Sequence, residues 1–145
     1  MTFDVNQEKM NSDFANRVLA LINVERTQAN LDSLQIDSQL SQAAQTHSES
    51  MADNNFFSHS GVDGSSPFDR IQDTGYQYST AAENIAAGHQ TPESVVEAWM
   101  GSAGHRANIL NSDLTEIGIG YEYLANDTGS VNYNSYWTTT FGTPI

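Results

Sequence analysis

The stretch Trp99-Met100-Gly101-Ser102-Ala103-Gly104-His105-Arg106-Ala107-Asn108-Ile109-Leu110 decides how the chain is read. It opens on the buried side of one helix and breaks at Gly101-Ser102. It then restarts as a shorter helix over 105–110, with a histidine and an arginine side by side. The helix before the break begins at Thr91-Pro92, a capping residue followed by proline in the first turn. Its inner face is Val95, Val96, Trp99 and Met100.

Working towards the N-terminus, a brief extended piece over 83–88 comes next. Ser66-Pro67 repeats the cap-plus-proline signal and predicts a short helix over 68–74, which Gly75 ends. Residues 55–66 read as an irregular stretch holding Phe56, Phe57, His59 and a glycine-rich turn. Two longer helices precede it. The first covers 12–29, with Ser12 or Asp13 as cap and Phe14, Val18, Leu21 and Ile22 at helical spacing. The second runs from a cap at Asp37 through Asn54, with Leu40, Ala43, Ala44, His47 and Met51 inward. Residues 31–36 form a loop expected to turn Leu34 and Ile36 inward. Residues 1–11 read as a polar lead-in and 12–145 as one domain.

Beyond Leu110 the period changes. Ile117, Ile119, Tyr121 and Tyr123 alternate with Gly118, Gly120 and Glu122, which is strand spacing. Residues 126–130 are turn material, and the run from Tyr136 to Phe141 is a second strand, so the two should pair as a hairpin. Helices first and antiparallel strands late make an α+β domain in layers.

Bulk composition narrows the function. At 145 residues the chain is one domain in length. Eighteen acidic residues against five basic ones give a net charge of −13. Such a surface repels phosphate backbones and anionic headgroups, so no nucleic-acid partner is expected, while divalent cations are drawn in. With no cysteine there is no disulfide, thiolate ligand or thiol nucleophile. No apolar stretch is long enough to span a membrane, and residues 1–12 lack the basic and apolar regions of a signal peptide.

From Leu40 onward the ordered blocks resemble the CAP superfamily (cysteine-rich secretory, antigen 5 and pathogenesis-related-1 proteins) in its bacterial branch. The blocks are Leu40-x-x-Ala43-Ala44-x-x-His47-x-x-x-Met51, Phe56-Phe57-Ser58-His59-Ser60, Glu83-Asn84-Ile85-Ala86, the stretch 99–110, Glu116-Ile117-Gly118-Ile119-Gly120 and Tyr136-Trp137-Thr138-Thr139-Thr140-Phe141-Gly142. The resemblance implies an α–β–α sandwich, an antiparallel sheet between helical layers. It also implies a secreted or cell-surface protein, and a monomer is expected. Family members usually line a cleft with two His and two Glu. Three of these match, at His59, Glu83 and His105, and the fourth position is Ser102 here. Ala82 stands where the family has glycine.

Two imidazoles and a carboxylate converging in a cleft suit a zinc-like divalent metal. The metal-ligand candidates are His59 and His105, with Glu83, Ser102, Asn84 and Arg106 around them. Only two strong ligands are expected, so affinity should be modest. A structural network tying His59 and His105 to Glu83 is the plain alternative. A hydrolase would need Ser58, Ser60 or Ser102 beside a histidine, and neither a Gly-x-Ser-x-Gly elbow nor an oxyanion hole is evident. His47 reads as a packed core histidine and His89 as an exposed loop residue. Arg106 reads as the one basic residue by the cleft, paired to an acid, and Asn84 and Asn108 as stitchers of backbone groups. Asp127-Thr128-Gly129 is explained by a hairpin turn, and Gly118 and Gly120 by close backbone approach across the sheet. The expected function is an extracellular binding module taking a metal and a small ligand, lipid, peptide or glycan. The competing class is a metal- or histidine-assisted hydrolase of peptides or cell-wall material.

Overall fold

The computed structural model describes residues 5–145. Local capping chemistry sets most helix starts. Asp37 accepts from the Leu40 amide and opens α2 (Ser38–Asp53). Ser66 and Asp69 form a reciprocal capping box at α3 (Pro67–Asp73). Thr91 accepts from the Ser94 amide at α4 (Pro92–Met100), and α5 (Ala103–Ile109) follows the break at Gly101 and Ser102. The first helix, α1 (Val5–Gln28), starts earlier than its apolar stripe suggests. Residues 5–11 are therefore helical. The first four positions of the polar lead-in lie outside the described residues.

Four strands make one sheet: β1 (Gln35–Ile36), β2 (Tyr78–Ala87), β3 (Glu116–Tyr123) and β4 (Ser135–Pro144), in the order β1-β3-β4-β2. The expected β3–β4 pairing forms, with Ile119 opposite Thr139 and Tyr121 opposite Trp137. Two expectations about the strands and their pairing need correction. The extended piece at 83–88 is the end of a ten-residue strand, because residues from Tyr78 onward pair with the C-terminal half of β4. The sheet is also mixed, since β1 pairs parallel to β3 at its two residues. Leu34 is buried as expected, but Ile36 is half exposed, because it sits on that short edge strand. Past Ile117 the outer edge of β3 is closed by a side chain. The Gln45 amide donates to Tyr121 O and its oxygen accepts from Tyr121 N, both at 2.9 Å, where a neighbouring strand would pair.

The sheet is sandwiched, with α2 and α3 on one face and α1, α4 and α5 on the other. Strand alternation sorts the side chains. Ile117, Ile119, Tyr121, Trp137 and Phe141 join Val18, Ile22, Val95 and Trp99 in the main core. Gly118 and Gly120 face α2, whose backbone lies directly on them. The close approach inferred from those glycines is real, and it comes from a helix rather than from a neighbouring strand. Ser48 of α2 and Thr138 of β4 share a buried hydrogen bond of 2.8 Å on the same face.

Arg26 is 2% exposed and has no carboxylate bonded to it among the described residues. Its guanidinium donates instead to the carbonyls of Asp32, Ile109, Asn111 and Leu114, at 2.7 to 3.2 Å. Charge-assisted bonds of this kind are among the strong ones. They anchor the end of α5, the helix that carries His105, to α1.

On the α2–β3 side, Glu122 lies near Glu49 and Asp53. Burial first, then the charges of those two acids, push its carboxyl up to about 7. An acid raised in the folded state stabilises the fold below its unfolded value and loses that contribution as pH rises through the folded one. Stability should therefore fall between pH 4.5 and about 7. Because Glu122 is partly exposed, the change should be only about 1 kcal/mol after solvent screening. Glu122→Gln should flatten the slope of denaturant stability against pH over that window.

Candidate functional site

The site forms around the open edge of β2. Alternation along that strand sends Glu83 to the α3 side and Asn84 to the α5 side. The irregular segment after α2 brings His59 to Glu83, and α5 brings His105 from the opposite layer.

Glu83 is the hub. Its side chain is 3% exposed, and both oxygens are engaged. Arg70 Nη2 donates to Oε2 at 2.9 Å and to Oε1 at 3.2 Å, and His59 Nδ1 meets Oε1 at 2.9 Å. The same Nη2 donates to the His59 carbonyl at 2.7 Å, so Arg70 holds both the acid and the loop carrying the imidazole. A carboxylate only accepts, so His59 Nδ1 must carry a proton, and in the neutral ring it is then Nε2 that presents a lone pair. The His59 side chain is 51% exposed, which leaves Nε2 reachable from solvent.

His105 is half-buried. Burial first, and then the charge of His59, lower its pKa below the ordinary histidine value. His105 makes no side-chain hydrogen bond to Glu83. Its backbone is held instead: Asn84 Nδ2 donates to His105 O at 3.1 Å, and Asn108 Nδ2 donates to Asn84 Oδ1 at 2.8 Å. Asn84 and Asn108 therefore stitch β2 to α5, as their side chains suggested.

Arg106 does not do what its position suggested. It is exposed and pairs with no acid among the described residues, since α5 turns it to solvent. Arg70 is the cation of the cleft, and sequence reasoning passed over it. The available signal was its scarcity: it is one of five basic residues, on a short helix whose start was legible. Ser102 sits at the N-cap of α5 with no side-chain capping bond. His47 is buried, as expected of a core histidine, and its Nε2 donates to Ser58 O at 2.7 Å. Burial lowers its pKa. His89 is half-buried rather than exposed, with Nδ1 against Ser94 Oγ at 2.8 Å and its carbonyl accepting from Trp137 Nε1.

A cavity of about 280 Å³ shares Arg70 with this cluster and extends between α2 and the 61–65 turn, along His47, Thr46 and Asp63. Among the described residues no three His or acidic side chains are placed to hold a metal together. Glu83 stands behind His59 as the carboxylate that orients its ring. Glu83 itself, held by Arg70, is not free to ligate.

The model of the CAP family, described as the cysteine-rich secretory protein family, matches residues 19–141. YkwD of Bacillus subtilis (strain 168) is 45% identical over 130 residues, which are 90% of this chain and 47% of YkwD. The membrane protein YlbC of the same strain is 35% identical over 119 residues, 82% of this chain and 34% of YlbC. The chain thus spans less than half the length of either relative. The crystal structure of an extracellular protein containing a SCP domain from Bacillus anthracis str. Ames superposes with a TM-score of 0.83 at 29% identity, covering 98% of this chain and 44% of that one. An outer surface protein of Borrelia burgdorferi shares the fold, with a TM-score of 0.80 at 22% identity over 100% of this chain and 98% of its own. Matched by the family's model over most of its length and by a relative at 45% identity, this chain belongs to the CAP family, although it carries none of the cysteines in that family's name.

Proposed function

We propose that the chain is a binding module of the extracellular space or cell surface, whose cleft takes a zinc-like divalent cation between His59 and His105, with a small ligand beside it. The observation that supports this reading is the Arg70–Glu83–His59 relay, which engages His59 through Nδ1 and leaves Nε2 without a protein partner among the described residues. A bound cation would act as a Lewis acid towards a carbonyl or water oxygen of that ligand. Two protein ligands are fewer than the three usual at catalytic zinc, so uptake should be modest in affinity. The strongly acidic chain raises the local concentration of cations and disfavours nucleic acid. The extracellular placement is supported by the Bacillus anthracis relative, itself an extracellular protein. No helix among the described residues is long and apolar enough to cross a membrane.

Binding is favoured over hydrolysis because no serine is set beside these imidazoles. Ser58 Oγ accepts from the Ser60 amide, and no hydroxyl bonds to the ring of His59 or His105 among the described residues. Zinc titration by calorimetry at neutral pH should give a saturable heat for the wild type. The heat should vanish in the His59→Ala/His105→Ala double variant and persist in His89→Ala. Equal heats in wild type and double variant would remove the metal from this cleft.

A further inference from the structure

A second pocket, of about 400 Å³, lies on the other side of the molecule's sheet from Glu83, where α1 crosses the ends of β3 and β4. Its principal walls are Met10, Phe14, Tyr121, Tyr123, Tyr133 and Gln90. From this arrangement we infer that the pocket binds a neutral oligosaccharide, with the Tyr133 ring as its stacking platform.

Three observations point to that class of ligand. First, the pocket is uncharged. No Asp, Glu, Lys, Arg or His is among the described residues lining it, in a chain carrying 18 acids. A charged ligand would find no partner there. Second, aromatic surface and polar groups alternate around it. Tyr123 and Tyr133 are 44% and 51% exposed at the rim, while Phe14 forms an anchored floor, stacked on Trp137 at 5.6 Å and edge-on to Tyr121 at 5.0 Å. Among the described residues, none bonds the side-chain amide of Gln90 or the side-chain oxygen of Asn134, although Asn134 Nδ2 donates twice. A sugar ring has a C–H face that covers an aromatic ring, and an edge of hydroxyls that needs such planar amides and phenols. A wholly aliphatic tail would leave them unpaired.

Third, the platform is held rigid despite its exposure. Phe57 packs edge-on to Tyr133 at 6.2 Å, and the Tyr133 amide donates to Tyr136 Oη. Next to it, Asn134 sits in the left-handed region at φ 68°. That conformation is held by bonds from its side chain to the carbonyls of Leu124 and Ala125, and from its amide to Asp127. Tyr136 Oη also donates to the Asp127 carboxylate. These bonds fix the turn that carries Tyr133. A ring fixed in advance loses little freedom on binding. The volume lies in the range of small-ligand sites, about 300–1,000 Å³.

The test is calorimetric titration of the full chain with chitotetraose and, separately, with cellotetraose. Saturable binding of either is the expected result, and the two arms tell whether N-acetyl groups are read. Tyr133→Ala should weaken it about tenfold or more, Gln90→Ala should weaken it measurably, and Tyr133→Trp should retain it. His59→Ala should bind as the wild type does, which separates this pocket from the metal cleft. Near-UV circular dichroism checks that each variant is folded, and Tyr123→Ala replaces Tyr133→Ala if the latter is not. The inference is overturned if neither sugar binds. It is also overturned if folded Tyr133→Ala and Tyr123→Ala bind unchanged, or if palmitate and not sugar perturbs the Tyr133 amide in NMR spectra.

Discussion

Gly118→Ala is expected to be the most damaging small substitution in the chain, lowering stability by about 3 kcal/mol or more, at the upper end of overpacking effects. A Cβ at this position would stand 2.0 Å from the carbonyl carbon of Leu40 and 2.1 Å from the Ser41 nitrogen. These are backbone atoms in the first turn of α2, and no rotamer change moves them. The helix would have to lift from β3. That would loosen the Gln45 bonds to Tyr121 and the segment that follows α2, which delivers His59. In a domain of this size the midpoint of thermal unfolding should drop by roughly 10 °C. Gly104→Ala is the matched control: nothing lies within 4 Å of its added Cβ, inside helix α5. There the better helix former should add about 0.5–1 kcal/mol. A Gly118→Ala protein as stable as wild type in urea unfolding would mean that α2 does not lie on β3 as described.

The second large effect is expected at the hub. Glu83→Ala removes both acceptors from an Arg70 side chain only 11% exposed, and leaves its guanidinium buried without a counter-charge. Breaking a buried ion pair from one side costs about 3–5 kcal/mol. The Arg70 Nε has no partner among the described residues, and the remaining bonds, to the carbonyls of Ser65 and His59 and the Ser65 hydroxyl, carry no counter-charge to make up the loss. Arg70→Met alone should also be harmful, because it leaves the buried Glu83 carboxylate with only the His59 ring as donor. The double variant Glu83→Leu/Arg70→Met should recover much of the stability while abolishing the orientation of His59. Additive losses in that double-mutant cycle would show that the two groups are not coupled.

What could be read from the sequence divides by the range of the interaction. Asp37, Ser66 and Thr91 announced their helices because a cap bonds an amide three residues away. The β3–β4 pairing was legible from the alternation of Ile117, Ile119 and Tyr121 with glycines. The first half of β2 was not, since Tyr78 to Ala82 show no apolar alternation and owe their conformation to β4, more than fifty residues on. The early start of α1 was hidden for a similar reason: residues 5–11 are polar, without the stripe that marks a buried face. At the site, His59, Glu83 and His105 were named through family resemblance, and the structure joins the first two directly. Arg70 and Arg26 escaped notice because their partners lie in distant segments, carbonyl oxygens most of all, which leave no trace in side-chain pattern.

The most direct measurement is the nitrogen NMR spectrum of the imidazole rings of His59 and His105, recorded at neutral pH before and after addition of zinc. His59 should show a protonated Nδ1 and a bare Nε2, and zinc should shift Nε2 of His59 together with one ring nitrogen of His105. A neutral His59 ring bare on Nδ1 and protonated on Nε2, or a zinc response confined to His47 or His89, would contradict the metal cleft.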